Sequence, residues 1–242
     1  IKLFKKKPIV YLRSDGYGEY KSILGFFGPM IYHFMFSIIS KISLLISCRE
    51  YILRNKLGKI VAPSQISSQW LTNHKEPEIN KTRLLYVGRI RKEKGIYSLL
   101  RLIKEIKTDL IFSIVGAENK SLTQITQDNV YVHEVENNEK NLIKFYDDHN
   151  IFILPSYTEG HPMALLEALS RLRPVIIFKD IEHVVENKKG IFVTERNSTS
   201  LLKQINYIKE NYKKIQQEMK KNNLPTKKQF ISKLGDLISK SN

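Results

Sequence analysis

Ile151-Phe-Ile-Leu-Pro155-Ser156-Tyr-Thr-Glu159-Gly160-His-Pro162-Met163-Ala164-Leu165-Leu-Glu167-Ala-Leu-Ser170 is the stretch on which the fold turns. Its first five residues, Ile151–Pro155, form an apolar run of strand length with nothing polar to face water. Such a strand is covered on both faces, as in a parallel sheet flanked by helices. A polar turn follows, where Gly160 permits a tight backbone. A helix opens near Pro162, a residue favoured in a first helical turn. The amides of Met163, Ala164 and Leu165 have no partner within that first turn, and the helix dipole adds positive potential there, so the start is an anion site suited to a diphosphate. Two carboxylates flank it. Glu159 precedes the helix, and Glu167 lies about 150° around the helix from the stripe of Leu165, Ala168, Leu169 and Leu172. That angle predicts a Glu167 turned to the ligand side rather than to the core. Carboxylates beside a phosphate site accept hydrogen bonds from sugar hydroxyls, as acidic residues do from the ribose of dinucleotides. One Glu at such a place is most often a solvated helix face, but two around Gly-x-Pro after a buried strand make a specific signal.

The pattern continues outward in both directions. Apolar runs recur at Leu84–Gly88, Leu110–Gly116, Val130–Val135, Pro174–Phe178 and Gly190–Val193, with helical spacing between most of them. Ile96, Leu99, Leu100, Ile103 and Ile106 trace one helix, and Leu142, Ile143, Phe145 and Tyr146 trace another. Strand and helix in repeated alternation predict a doubly wound α/β domain, whose ligands sit at the carboxyl ends of the strands. At one such end stands Tyr86-Val-Gly88-Arg89-Ile-Arg91-Lys92-Glu-Lys94-Gly95. Arg89 and Lys94, bracketed by glycines, are candidates for the diphosphate; Arg91 and Lys92 read as a solvated basic loop. Gly116 closes a third strand and is a weak mark by itself.

The first part of the chain is less regular. Pro8–Leu12 reads as a strand following the lysine-rich lead-in Lys2–Lys7, so the chain reads as a fragment beginning inside a domain. Ile23–Ser47 is strongly apolar, but Gly25, Gly28, Pro29, His33 and Lys41 interrupt it. A spanning helix needs about 20 nearly uninterrupted apolar residues, so a buried or membrane-surface helix is expected. Lys59–Ser64 reads as a strand running into a turn. A polar linker near Thr72–Lys81 divides the chain into residues 1–80, residues 81–224 and a tail, 225–242. The tail carries Phe230, Ile231, Leu234, Leu237 and Ile238 at helical spacing, with a lysine-rich polar face. That helix packs back on the first domain or rests on an acidic membrane, and its sequence allows both.

Composition bounds the partners. Of 242 residues, 40 are basic and 24 acidic, a formal charge of +16 that favours anionic partners: nucleic acid, acidic lipid or phosphorylated small molecules. A lysine- and asparagine-rich composition accounts for the charge equally well. The lone cysteine, Cys48, excludes an internal disulfide and fits a reducing compartment. No spacing of Cys and His suggests a metal.

Together these motifs resemble the family 4 retaining glycosyltransferases of the GT-B fold. Val87-Gly-Arg…Glu93-Lys-Gly, Ile114-Val-Gly and Ile153-Leu-Pro-Ser…Glu159-Gly-x-Pro-x-x-Leu-Leu-Glu167-Ala carry the resemblance, and the two glutamates eight positions apart are its most specific mark. The resemblance implies a Rossmann-like donor domain at 81–224 and part of a second at 1–80. It implies that Arg89 and Lys94 hold a donor diphosphate, that Glu167 binds ribose hydroxyls, and that Glu159 contacts the transferred sugar as the catalytic candidate. Gly88, Gly116, Val135, Gly160, Met163, Ala164 and Leu165 would line the same donor site. Arg13 and Asp15, after the first strand, would lie near the acceptor, unless they form a structural ion pair. The implied reaction moves a sugar from a nucleotide-diphosphate sugar to a hydroxyl of a polysaccharide, lipopolysaccharide or glycolipid, with retention and with neither metal nor other cofactor. It would run in the cytoplasm, at the inner membrane face. His161, Glu134 and Arg173 depart from the family pattern, as does the short stretch after Phe178; these bear on base and sugar specificity. Two other readings are a basic nucleic-acid-binding module and a non-catalytic relic. The first predicts exposed aromatics interleaved with Arg and Lys; the aromatics here sit mostly in apolar runs, so nucleic acid is not expected as a partner.

Overall fold

The structure, a computed structural model, describes residues 7–118, 125 and 127–239. Most of the lysine lead-in, residues 1–6, lies outside them. The chain divides into two units, one of residues 1–65 with 225–242 and the other Ile66–Leu224.

In the first unit β1 (Ile9–Leu12), β2 (Leu44–Ser47) and β3 (Gly58–Ile60) form a parallel sheet in that order. Between β1 and β2 the chain makes a helical hairpin, α1 (Gly16–Leu24) and α2 (Gly28–Ile42), joined by one 3₁₀ turn. Phe36, Leu45 and Leu53 are its buried centre, with Val10, Leu12, Tyr32 and Ile39 packed around them. The third strand is shorter than the expected Lys59–Ser64. After Val61, whose N–H still donates to Ser47 O (2.8 Å), the chain turns and Ser64 Oγ donates to Pro225 O (2.6 Å). The tail forms α8 (Lys227–Ser239), and the Phe230 ring lies 6.2 Å from that of Tyr11.

The second unit holds β4 (Thr82–Val87), α3 (Ile96–Glu105), β5 (Leu110–Ala117), β6 (Val130–Glu134), α4 (Glu139–Asp148), β7 (Ile151–Leu154), α5 (Met163–Ser170), β8 (Val175–Phe178), β9 (Ile191–Thr194), α6 (Ser198–Glu210) and α7 (Tyr212–Met219). Among the described residues its six strands are parallel in the order β6-β5-β4-β7-β8-β9. Leu84, Phe112, Ile151–Ile153 and Val175–Phe178 are almost wholly inaccessible, as continuously apolar strands should be. From β4 the chain moves outward to β6, returns across β4 to β7 and continues to β9. The order therefore reverses between β4 and β7, and the carboxyl ends of strands at such a reversal are where open α/β sheets bind ligands.

The boundary between units falls after Gln65 rather than after residue 80. The polar composition of Thr72–Lys81 hides why: its backbone is held by the second unit. Ile66 and Trp70 are buried in that unit's core. Arg171, 1% exposed, pairs with Asp147 through Nε (2.9 Å) and Nη2 (2.8 Å), and donates to the carbonyls of Trp70 (3.0 Å), Thr72 (2.7 Å) and Asn73 (2.9 Å). Arg173, equally buried, donates to Lys75 O (2.7 Å) and Tyr146 O (2.9 Å). Arg173 thus has a structural task where the family pattern has glycine.

Candidate functional site

The two loops at the strand reversal form the site's lips, and they are fused. Gly95 ends the first loop with φ +68°, and a Cβ there would lie 2.0 Å from Pro155 O at the end of the β7 segment. Only glycine lets the backbones approach this closely. Next to it, Tyr157 N donates to Glu93 O (2.9 Å). The end of β5 closes in similarly: Gly116 has φ +117°, and a Cβ on it would sit 2.5 Å from Gly88 O. Gly88, Gly95, Gly116 and the Pro155–Pro162 turn therefore converge at one end of the sheet, the end the sequence motifs named.

Lys94 and Glu159 face each other across these lips. Lys94 Nζ donates to Glu159 Oε1 at 2.7 Å, and Ser156 Oγ donates to the same oxygen at 2.6 Å. Both charged side chains are largely buried. Expected as separate contacts, one for phosphate and one for sugar, they are joined as a pair; the ammonium's two remaining N–H groups are the ones that could reach a phosphate. Arg89 is exposed just after β4, and its carbonyl accepts from the Tyr86 hydroxyl at 2.9 Å. Burial and then Glu159 hold that phenol protonated, well above the ordinary tyrosine range.

α5 starts at Pro162, whose ψ of 110° marks the non-helical residue before the first turn, with no side chain capping it. Met163 and Ala164 are half-buried and Leu165 is buried. Glu167 differs from its expected exposure. It is 8% exposed, because α5 is buried all round from Leu165 to Ser170 and no helical face is left for solvent. Its Oε2 accepts from the Tyr146 hydroxyl at 2.8 Å, and the Tyr146 ring packs edge-on to Trp70 at 5.4 Å. Burial raises the Glu167 carboxyl above the usual carboxylate range; the Tyr146 bond opposes that rise, and the charge of Glu139 adds to it.

Residues that the motifs did not flag complete the scaffold. Arg196, just beyond β9, donates from Nη1 to Pro155 O (2.9 Å) and from Nη2 to Ser156 O (3.3 Å) and Asp180 Oδ2 (2.7 Å). Its guanidinium is sandwiched between the rings of Tyr157 (4.1 Å) and Phe178 (4.2 Å). His183 Nε2 lies 2.8 Å from Glu159 O, so that nitrogen carries the proton. The short stretch after Phe178 therefore braces the Glu159 turn. The carboxyl-end rule, applied to the last strand, would have found Arg196; nothing local marks His183.

The remaining expected residues are placed as follows. Val135 is exposed directly after β6, Gly160 is half-buried in the turn, and His161 is half-buried beside it. In the first unit, Asp15 caps α1 by accepting from Tyr17 N (3.3 Å) and pairs with Arg54 Nη2 at 3.2 Å, not with Arg13. Arg54 itself stands in the left-handed region, with φ 48°. Arg13 contributes its carbonyl, which accepts from Cys48 Sγ (3.2 Å). Among the described residues no three His, Cys, Asp or Glu side chains group as metal ligands would.

Comparison with known proteins agrees with this architecture. The family described as Glycosyl transferases group 1 matches residues 71–225. A Bacillus subtilis (strain 168) protein named as a teichuronic acid biosynthesis glycosyltransferase, TuaC, is 34% identical over 94 residues, 38% of this chain and 23% of its own. The capsular polysaccharide biosynthesis glycosyltransferase CapM of Staphylococcus aureus is 28% identical over 136 residues, 50% of this chain and 34% of its own. The chain thus spans about a quarter to a third of the length of these curated relatives. Among solved structures, Anabaena Alr3699/HepE in complex with UDP-glucose superposes with a TM-score of 0.73 at 13% identity, over 96% of this chain and 72% of the other. That likeness shows the fold, an α/β protein of the GT-B type with Rossmann-like parallel sheets.

Proposed function

We propose, because this chain belongs to the glycosyl transferases group 1 family, that its second unit binds a nucleotide-diphosphate sugar and serves transfer of that sugar to an acceptor hydroxyl. The observation that carries this reading is the fused pair of lips at the β4/β7 reversal, with a cation, two carboxylates and a helix start within them. Arg89 and the free N–H groups of Lys94 would take the diphosphate, aided by the amides of Met163, Ala164 and Leu165. Glu167 would accept from ribose hydroxyls, and Glu159 would contact the sugar. In the transfer, the acceptor oxygen bonds to the anomeric carbon as the bond from that carbon to the phosphate oxygen breaks. The nucleoside diphosphate departs with that electron pair, and a phosphate oxygen takes the acceptor's proton. Cations and a helix start stabilise the departing charge, the task a divalent metal performs elsewhere. The transfer retains configuration, as the motif resemblance implies. The relatives' names support an acceptor in polysaccharide synthesis; the proposal extends to a lipopolysaccharide or glycolipid acceptor and to the inner face of the cytoplasmic membrane.

Calorimetric titration with UDP, GDP and ADP tests the donor half of this reading. Micromolar binding to one of them, lost in Glu167→Ala, supports it; no binding of any of the three by the folded chain would refute it.

A further inference from the structure

We infer that the α1–α2 hairpin is a docking surface for an anionic lipid bilayer. Its two helices are locked together. A Cβ on Gly28 would lie 2.0 Å from Tyr20 O, and one on Gly16 would lie 2.0 Å from the Tyr32 ring. Tyr17 meets Tyr32 edge-on at 4.8 Å, and Tyr32 stacks on Phe36 at 5.8 Å. The hairpin is therefore a preformed wedge, and its outer face is apolar. Phe26 is 83% exposed, Ile23 73%, Phe34 69% and Phe27 66%, clustered at the tip and along α2. A groove of about 390 Å³ runs beside them, lined by Tyr17, Pro29, Met30, His33, Phe34 and Ser37.

Exposed apolar surface on this scale marks an interaction site, and charge selects the occupant. The hairpin carries one acidic residue, Glu19 near the start of α1; from Tyr20 to Arg49 there is none, while Lys21 and Lys41 lie along it. Arg54 sits over the Tyr17 ring at 5.0 Å, at the groove's end, and pairs there with Asp15. Leu57 in the same turn is 97% exposed between Lys56 and Lys59. A second copy docked on this face would set those cations against themselves, which like-charge repulsion opposes. An anionic bilayer offers acyl chains to the phenylalanines and the groove, and phosphates to the lysines. Among the described residues no helix is long and apolar enough to cross a membrane, so the wedge would lie in the interface. The inference extends the membrane-side acceptor proposed above to a named surface, and it can fail while donor binding holds.

Co-sedimentation of the full chain with vesicles of phosphatidylcholine, with and without phosphatidylglycerol, tests it. Binding is expected to the anionic vesicles and to weaken with salt. Phe26→Ser with Phe27→Ser should reduce partitioning by roughly 10- to 100-fold. Lys21→Gln with Lys41→Gln should reduce it by roughly 10-fold or more. Circular dichroism and nucleotide titration should be unchanged in both variants. Absence of binding by the folded chain overturns the inference, as does undiminished binding by the phenylalanine variant. So does a dimer that the phenylalanine variant dissolves in the absence of vesicles, which would assign the face to a second copy. Nucleotide binding retained in any of these outcomes leaves the donor site standing.

Discussion

Gly95→Ala should damage both stability and nucleotide binding, because Gly95 is where the two loops of the candidate site touch. An ideal Cβ at this position lies 2.0 Å from Pro155 O and 2.9 Å from Pro155 C. Ordinary carbon–oxygen contact is more than 1 Å longer than the first of these, so one backbone must move by about an ångström. Neither moves easily. Pro155 follows β7 directly and its carbonyl accepts from Arg196, while Gly95 N donates to Lys92 O (3.0 Å) and its own carbonyl accepts from Leu99 N (3.0 Å). Overpacking of this kind costs about 1–3 kcal/mol, and a φ of +68° adds roughly 1 kcal/mol for any side chain. The sum, about 2–4 kcal/mol, corresponds to a fall in melting temperature of roughly 5–15 °C for a unit of this size. The displacement also separates Lys94 from Glu159, so nucleotide affinity should drop on the order of 10-fold or more.

Calorimetry measures both effects, one by thermal scan and one by titration. Gly235→Ala is the internal control: that glycine lies inside α8, and a Cβ there meets nothing within 4 Å. It should instead stabilise the chain by about 0.5–1 kcal/mol through helix propensity. If Gly95→Ala melted within a degree or two of the parent and bound nucleotide equally well, the lips would not be fused as described, and the site built on them would fall.

Other perturbations separate the roles of individual groups. Burial keeps Glu167 protonated in the folded state at pH values where it would ionise in the unfolded chain. The folded state therefore binds more protons, and stability falls as pH rises from the ordinary carboxylate range to the raised value. Glu167→Gln should remove that slope and raise the melting temperature above that window but not below it, while weakening nucleotide binding by roughly 10-fold or more; pH-dependent thermal scans decide. Lys94→Ala should weaken binding of a nucleoside diphosphate on the order of 10-fold but leave the parent nucleoside's weak binding unchanged; equal losses for both would deny it a phosphate role. Glu159→Gln should abolish the extra affinity of a nucleotide sugar over its nucleotide, measured by paired titrations, and unchanged preference would remove Glu159 from the sugar. Arg171→Met should cost about 3–5 kcal/mol in urea unfolding, since Asp147 loses the nearer of its two arginines and the carbonyls of Trp70, Thr72 and Asn73 lose their buried donor; a loss under about 1 kcal/mol would contradict the role given to it.

What the sequence disclosed and what it concealed follow from the range of the forces involved. Strand burial, the strand–turn–helix join and the glycine-bracketed basic loop are local patterns, and each is present where the motifs put it. The helical wheel of α5 misled because a wheel assumes one wet face. The neighbours that bury the far side, Tyr146 and Trp70, come from segments 21 and 97 residues away in the chain. The domain boundary was illegible for the same reason: Thr72–Lys81 has a linker's composition, and residues far along the chain, Arg171, Arg173 and Asn150 among them, turn it into part of a domain. Nothing in one dimension marks Arg171 and Arg173 as buried, and yet both are 1% exposed. Both tie the segment before β4 to Asp147 and the end of α4. Since α4 also supplies Tyr146 to Glu167, the arginines that define the domain's edge also hold the helix that positions the proposed ribose carboxylate. The boundary and the proposed ribose site thus share one network, and the Arg171 variant should weaken nucleotide binding as well as stability.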